Sequence, residues 1–109
     1  LLYSSNYQGR DEESNVVITN EKELTTLFQS VGNEQVPKVD FTKNQVVALF
    51  LGSKNTGGYS ISIDRAEVIG NQIIIYKKIE TPKGGMVTTA FTNPFVIVTI
   101  HNKKEIVFK

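Results

Sequence analysis

Residues 46–63 read VVALFLGSKNTGGYSISI, and this stretch decides the fold. Val46–Leu51 is apolar at every position, which favours a central strand buried on both faces, because an edge strand normally presents polar residues to water. The pair Gly57-Gly58 lies in the polar loop that follows, where positive φ or a bulge lets the chain reverse. Residues 59–63 then alternate between apolar and polar, which predicts a second strand with one buried and one solvated face.

One helix is predicted, over residues 20–32. Asn20 is a typical N-cap, and Glu23 three residues later gives a start that resembles a capping box. Gly32 is a typical C-terminal stop. We expect the helix to lie across a sheet, because its apolar side chains recur at helical spacing on one face: Leu24, Leu27, Phe28 and Val31.

The rest of the chain is predicted to form short strands joined by turns. Gly70-Asn71 is typical of a two-residue hairpin, and residues 36–44 have the proline and turn-forming residues of a connector. This spacing predicts a mainly β, α+β fold: an antiparallel β-sandwich or open barrel with one packed helix near the N-terminus. The predicted strands span residues 1–7, 15–19, 46–51, 59–64, 66–69, 72–76, 86–92, 95–100 and 105–108.

Composition predicts a single globular domain over residues 1–109. Hydrophobic residues make up 39% of the chain and charged residues 21%, which is ordinary for a globular protein. The chain has no cysteine, so thiolate nucleophiles, cysteine-ligated zinc and disulfides are excluded. No apolar stretch approaches the roughly 18 residues of a membrane span, so no transmembrane segment is predicted. The first residues lack the basic and apolar regions of a signal peptide.

Charge is unevenly distributed along the chain. Residues 1–40 contain three Lys or Arg and seven Asp or Glu, whereas residues 41–109 contain nine and four. Most of these charges are interpreted as solvated faces and turns, with a basic surface for an acidic partner as the alternative. Nucleic acid is not a predicted partner, because the lysines are not interleaved with aromatic residues as in known binding modules.

Catalytic and metal-binding patterns are weak. His101, the one histidine, lies at a predicted turn, and no serine occupies a nucleophile-elbow motif. Asp64 with Glu67 or Glu80 could supply paired carboxylates, but their spacing matches no motif. Residues 11–13 lack the spacing of a calcium loop, and zinc would need further ligands. No catalytic, cofactor or metal residues are therefore assigned, and a hydrolase or carbohydrate-active domain is the weakest alternative.

Three loops that contain glycine or proline are the better candidates for function. Lys54–Gly58 lacks the spacing of a phosphate-binding loop and leads into a strand, so no helix N-terminus follows it to hold an anion. Loops on a rigid β scaffold often form a recognition surface. The predicted interaction residues are Asn55, Thr56, Gly57, Gly58, Tyr59, Pro82, Gly84, Gly85, Asn93, Pro94 and Phe95.

These motifs resemble the PrcB family, which is named after an accessory subunit of a bacterial surface protease complex. The most specific part of the resemblance is Thr56-Gly57-Gly58-Tyr59, which follows the apolar segment 46–52. The resemblance covers about residues 36–100. Its other matching positions are Val36-Pro37, Val39-Asp40-Phe41, Ser60-Ile61, Pro82, Gly84 and Asn93-Pro94-Phe95-Val96-Ile97-Val98.

The resemblance implies a noncatalytic domain that binds or assists a protease in bacteria. It implies no cofactor and supplies no catalytic residues. It also implies an exported or lipid-anchored protein, located in the periplasm or at the cell surface, with any anchor upstream of this chain. The family's signature positions, Thr56 to Tyr59, have no established role. The partner's identity and the oligomeric state do not follow from the resemblance.

A second resemblance, to chagasin-type cysteine protease inhibitors, gives an alternative function. Those inhibitors present three loops on an immunoglobulin-like sandwich. Asn55-Thr56-Gly57, Gly84-Gly85 and Asn93-Pro94-Phe95 occur here in the same order. The first loop lacks the inhibitors' proline, and Asn93 and Phe95 stand where they have arginine and tryptophan. The resemblance therefore indicates only how such loops could block a protease cleft.

Overall fold

The computed structural model describes residues 2–82 and 91–109. The predicted interaction residues Gly84 and Gly85, and most of the predicted strand 86–92, lie outside them. The described elements are β1 (Tyr3–Ser5), β2 (Ser14–Ile18), α1 (Glu21–Ser30), β3 (Gln45–Phe50), β4 (Ser60–Ile69), β5 (Gln72–Glu80), β6 (Phe95–Ile100) and β7 (Glu105–Phe108).

The strands form two sheets, which confirms the predicted mainly β sandwich with one helix. The four-stranded sheet has the order β1-β6-β3-β2 and is antiparallel throughout, and the three-stranded sheet has the order β4-β5-β7. One pair differs from the antiparallel expectation, because β7 runs parallel to β5. After β6 the chain crosses to the other sheet, so β7 does not have to pair with the strand that precedes it.

Strand β3 is the centre of the fold, and all six of its residues are buried. Val46, Ala48 and Phe50 belong to the core cluster under α1. Leu49 and Leu51 belong to a second cluster, which includes β4 side chains of the three-stranded sheet. Successive side chains of a strand point to opposite faces, so β3 contributes to a layer on each side. The prediction of a doubly buried central strand is confirmed.

Helix α1 begins and ends where the sequence predicts. The Asn20 side chain accepts a hydrogen bond from the Glu23 amide at 2.8 Å and donates one to the Glu23 carboxylate at 2.7 Å. At the other end, the Asn33 amide donates to the Phe28 carbonyl at 3.0 Å, and Gly32 has a φ of 73°. This is a Schellman ending, in which glycine adopts the left-handed conformation that L side chains disfavour.

The long β4–β5 hairpin turns at Gly70-Asn71, as predicted. Gly70 has a φ of 59°, and Ile69 is the register partner of Gln72 across the turn. A bulge at Asp64 interrupts the pairing. A bulge on an edge strand increases local twist and discourages pairing with another chain.

Antiparallel pairing places the chain reversals at two ends of the sandwich. The end of β3, the start of β6 and the end of β5 meet at what we call the loop end: residues 6–13, 52–59, 82 and 91–94. The opposite end, which we call the tip end, contains residues 40–45, 68–72 and 101–105. Of the residues that the structure describes, none belongs to a helix with the length and apolar character needed for a membrane span.

Candidate functional site

The predicted glycine loop is held at its base by Thr92. The Lys54 amide donates to the Thr92 carbonyl at 2.7 Å, and the Thr92 amide donates to the Lys54 carbonyl at 2.9 Å. The Thr92 hydroxyl donates to the Thr56 carbonyl at 3.0 Å. Thr92 is 5% exposed and its partners are partly buried, so loss of these bonds would leave polar groups of Thr92 unsatisfied. Sequence analysis missed Thr92, because its partners are 36 and 38 residues away.

The glycine loop also contacts the second predicted loop through Gly58 and Pro82. Gly58 has a φ of 91°, and a Cβ there would lie 3.1 Å from both Cβ and Cγ of Pro82. Glycine is therefore required for two reasons, the left-handed backbone and the close approach of the proline ring. The structure thus brings the glycine loop into contact with Pro82, the described part of the second predicted loop.

The third predicted loop is tied mainly to the N-terminal segment. The Asn93 side chain accepts a hydrogen bond from the Gly9 amide at 3.1 Å and donates one to the Gly9 carbonyl at 3.3 Å. The backbone amide of Asn93 donates to the Asn6 carbonyl at 2.9 Å. Asn93 thus fixes the segment that follows β1, and its side-chain amide is largely used within the protein.

Pro94 and Phe95, the other predicted residues of that loop, are buried. Phe95 is 1% exposed and stacks on Phe50 with ring centroids 5.8 Å apart. The Tyr3 ring meets the Phe95 ring edge-on, with the ring centroids 5.4 Å apart. Phe95 is the first residue of β6 and pairs with Phe50, so it belongs to the core cluster under α1. A partner cannot contact either side chain in this fold, and their predicted binding role has no free surface here.

Phe91 is the most exposed aromatic residue among the described residues of this end, ahead of Tyr7, which is 57% exposed. Its side chain is 81% exposed and lies next to the Thr92 bridge, near the glycine loop. Phe91 is not among the predicted interaction residues, because it falls in the predicted strand 86–92. The available signal was context: Phe95 starts an apolar strand, whereas Phe91 is flanked by small and polar residues. Exposed aromatic residues are frequent anchors in protein interfaces.

Lys54 and Tyr59 form a second accessible group on the glycine loop. The Lys54 ammonium lies 5.3 Å from the centroid of the Tyr59 ring, within the range of a cation–π contact. Tyr59 is half-buried and packs on the cluster that includes Leu51 and Ile61. Asn55, between these two side chains in sequence, is exposed. The loop therefore presents an aromatic ring, a cation and an amide from a backbone that is fixed at both ends.

Acidic residues border this surface. Asp11 accepts a hydrogen bond from the Ser53 hydroxyl at 3.1 Å, and its carbonyl accepts one from the Ser53 amide at 3.0 Å. Glu12 and Glu13 follow and are exposed. Gly52 has a φ of 89°, and a Cβ there would lie 3.0 Å from the Glu13 amide nitrogen, so glycine lets the two segments meet.

The residues considered for catalysis lie apart from one another. Asp64 forms a salt bridge with Arg65 at 3.0 Å, at the bulge of β4. Glu80 forms one with Lys78 at 3.5 Å, at the end of β5. The His101 ring is at the tip end, with Nδ1 2.9 Å from the Asn44 side-chain oxygen. These groups share no pocket in the described part of the chain, so the hydrolase alternative has no geometric support.

Arg65 is instead committed to a local ion-pair network. Its hydrogen bond to Glu67, at 2.9 Å, is the main cause that raises the pKa of the guanidinium above its ordinary value. Its guanidinium carbon lies 3.9 Å from the centroid of the Tyr76 ring. Within residues 2–82 and 91–109, no three acidic or histidine side chains are grouped as metal ligands would be.

Two open grooves flank α1, away from the predicted loops. One, of about 730 Å³, is lined by Tyr3, Gln29 and residues 32–35. The other, of about 430 Å³, is lined by Arg10, Ile18, Asn20, Lys22, Glu23, Thr26 and Leu27. Neither contains a predicted interaction residue.

Comparison with protein-family models matches residues 45–101 to the family described as PrcB C-terminal. The matched segment runs from the start of β3 to the end of β6, so it includes the glycine loop, Pro82 and Thr92. Comparisons with curated proteins and with solved structures give no significant match.

Proposed function

The chain belongs to the PrcB C-terminal family, and from this membership we propose that it is a noncatalytic accessory domain that binds a protein partner through its loop end. The family's association with a protease complex makes a protease the partner we propose. It also supports an extracytoplasmic location, in the periplasm or at the cell surface. The proposed binding surface consists of Lys54, Asn55, Tyr59, Pro82 and Phe91.

The observation that carries this proposal is the fixed glycine loop with accessible side chains. Buried Thr92 binds the loop at Lys54 and Thr56, and Pro82 packs on Gly58. A loop that is already ordered loses less conformational entropy when it binds a partner than a flexible loop would. Phe91 supplies an aromatic group of the kind that is enriched in interfaces, and Lys54 adds a positive charge, so this end combines a rigid backbone with groups that a partner can contact.

The inhibitor alternative finds less support in this geometry. A chagasin-like mode needs three exposed loops, and the third predicted loop contributes a buried Pro94 and Phe95. The second predicted loop is described only up to Pro82. We therefore propose accessory binding, and inhibition of a protease would be one possible consequence of that binding.

Site-specific photo-crosslinking in the native host tests the proposal. Asn55 and Asn71 are both exposed asparagines, but Asn55 lies at the loop end and Asn71 at the tip end. A photoreactive phenylalanine analogue at Asn55 should crosslink one protein, identified by mass spectrometry as a protease or a subunit that copurifies with one. The same analogue at Asn71 is the matched control. Equal crosslinking at both positions, or a partner unconnected with any protease, would contradict the proposal.

Affinity measurements with the identified partner then test the individual side chains. We expect Phe91→Ala to weaken binding by about tenfold or more, the usual effect of an aromatic anchor. Ile69→Ala, which truncates an exposed apolar residue at the tip end, should leave affinity unchanged. If the two substitutions have equal effects, the loop end is not the binding surface.

A further inference from the structure

The tip of the β4–β5 hairpin exposes two apolar side chains. Val68 and Ile69 are each 57% exposed. They are adjacent in β4, so they point to opposite faces of the hairpin. The turn that follows adds little bulk, and nothing lies within 4 Å of the position that a Cβ would take on Gly70. The hairpin therefore ends in an apolar wedge that is open on both faces.

Two lysines of the tip end are held by hydrogen bonds to backbone carbonyls. The Lys104 ammonium donates to the Gly70 carbonyl at 3.1 Å, and the Lys103 ammonium donates to the Phe41 carbonyl at 2.7 Å. The turn that carries them is fixed by the buried Gln45, whose amide donates to the carbonyls of Asn102 and Lys104 at 2.9 and 2.7 Å. Lys104 is thus positioned next to the apolar tip, and Lys103 lies on the neighbouring part of the tip end, at Phe41.

These charges are not neutralised by ion pairs within the described residues. The salt bridges found there all lie elsewhere on the hairpin, at Arg65 and at Lys78. Of the two carboxylates at this end, Glu105 accepts a hydrogen bond from Gln72, and Asp40 accepts two from Thr42. With Lys43, the tip end holds three lysines and two carboxylates, so it carries one net positive charge with His101 neutral.

We infer that the tip end docks on an anionic lipid surface. Val68 and Ile69 enter the boundary between headgroups and acyl chains, while Lys103 and Lys104 lie at the level of the lipid phosphates. Apolar contact combined with attraction between lysines and anionic headgroups is the usual basis of peripheral membrane binding. A lipid interface surrounds an inserted tip and covers both of its faces, whereas a flat protein surface would cover one. The inference is independent of the proposed partner at the loop end.

Cosedimentation with lipid vesicles tests the inference. The probes are vesicles of phosphatidylcholine alone and vesicles that also contain phosphatidylglycerol. We expect binding to the anionic vesicles only, weakening as salt is added. Lys103→Gln with Lys104→Gln should lower the partition coefficient more than tenfold, at about fivefold per lysine. Val68→Thr with Ile69→Thr should lower it severalfold, because the apolar contact is lost while the strand is retained.

Matched controls come from the same hairpin. Lys77→Gln with Lys78→Gln removes the same charge five or more residues from the tip, and Ile79→Thr alters a β-branched residue that is 42% exposed near the loop end. Both controls should keep at least half of the wild-type binding. Circular dichroism establishes that each variant is folded.

Three results would overturn the inference. The first is no binding of the wild-type protein to anionic vesicles at low salt. The second is equal losses in the tip variants and their controls, which would indicate charge attraction without a specific site. The third is self-association in analytical ultracentrifugation that Val68→Thr with Ile69→Thr abolishes, because the wedge would then belong to a contact between copies of this chain.

Discussion

The two ends of the sandwich are built in different ways. At the loop end, segments distant in sequence hold one another: Thr92 binds the glycine loop, Asn93 binds Gly9, and Pro82 packs on Gly58. At the tip end, the hairpin turn forms from neighbouring residues, and its apolar side chains stay exposed. The backbone of the loop end therefore depends on contacts between distant segments, whereas the hairpin turn at the tip end has a conformation set by its own residues.

The largest expected difference is between two phenylalanines of the loop end. Phe95→Ala should lower the free energy of unfolding by about 3–5 kcal/mol, because it leaves a cavity beside Phe50 and Tyr3. Phe91→Ala should change it by less than about 0.5 kcal/mol, because the side chain is exposed. Urea denaturation of both variants measures this. Similar losses would show that Phe91 is packed in solution, which would remove it from the proposed binding surface.

A second comparison uses one glycine from each end. Gly58 and Gly70 both have positive φ, but only Gly58 has Pro82 within 4 Å of its Cβ position. Gly70→Ala should lower the free energy of unfolding by about 1 kcal/mol through backbone strain alone. Gly58→Ala adds a steric overlap and should lower it by about 3 kcal/mol. Thermal unfolding at one pH compares them directly. If the two losses were the same, the contact with Pro82 would contribute little to holding the loop.

The smallest expected effects on stability concern the hydroxyl of buried Thr92 at the loop end and the carboxylate of exposed Asp40 at the tip end. The first group is neutral and the second is charged, so the two effects should differ in their dependence on pH. Thr92→Val should lower the free energy of unfolding by about 1 kcal/mol at every pH, because the lost hydroxyl does not titrate. At the tip end, hydrogen bonds from Thr42 lower the pKa of Asp40 below its ordinary value of 3.8.

Because the folded-state pKa of Asp40 is depressed, its stabilising contribution is present above pH 3.8 and is lost as the pH falls through the folded-state value. The difference in urea midpoint between wild type and Asp40→Asn should therefore shrink as the pH falls below 3.8. The difference for Thr92→Val should remain. A constant Asp40→Asn difference down to strongly acidic pH would contradict the assigned hydrogen bonds.

Patterns of local spacing predicted much of the fold correctly. The N-cap at Asn20, the stop at Gly32 and the turn at Gly70-Asn71 each depend on a few adjacent residues, and the structure has all three. The apolar residues 46–51 predicted a doubly buried strand, because no other arrangement removes both faces from water. The parallel pairing of β7 with β5 was not predicted, since it depends on which sheet the chain crosses to after β6.

The surface of the loop end has weaker local signals. Sequence patterns placed the glycine loop, Pro82 and Phe95 among the candidate interaction residues, and they did not include Phe91 or Thr92. Apolar character alone does not say whether a phenylalanine starts a core strand or ends a loop. The contacts of Thr92 with Lys54 and Thr56 carry no local signal, because they form only when β3 and β6 are already paired.

Capping, turn formation and alternation are short-range properties of the chain, so the helix, the main turns and the family signature can be recognised in the amino-acid sequence. Which side chains remain on the surface depends on how these elements pack. Pairing of β3 with β6 buries Phe95 and places Thr92 under the glycine loop, and the β4–β5 register leaves Val68 and Ile69 exposed beside Lys104. Exposure depends on all the layers packed together, so it cannot be read from one segment alone.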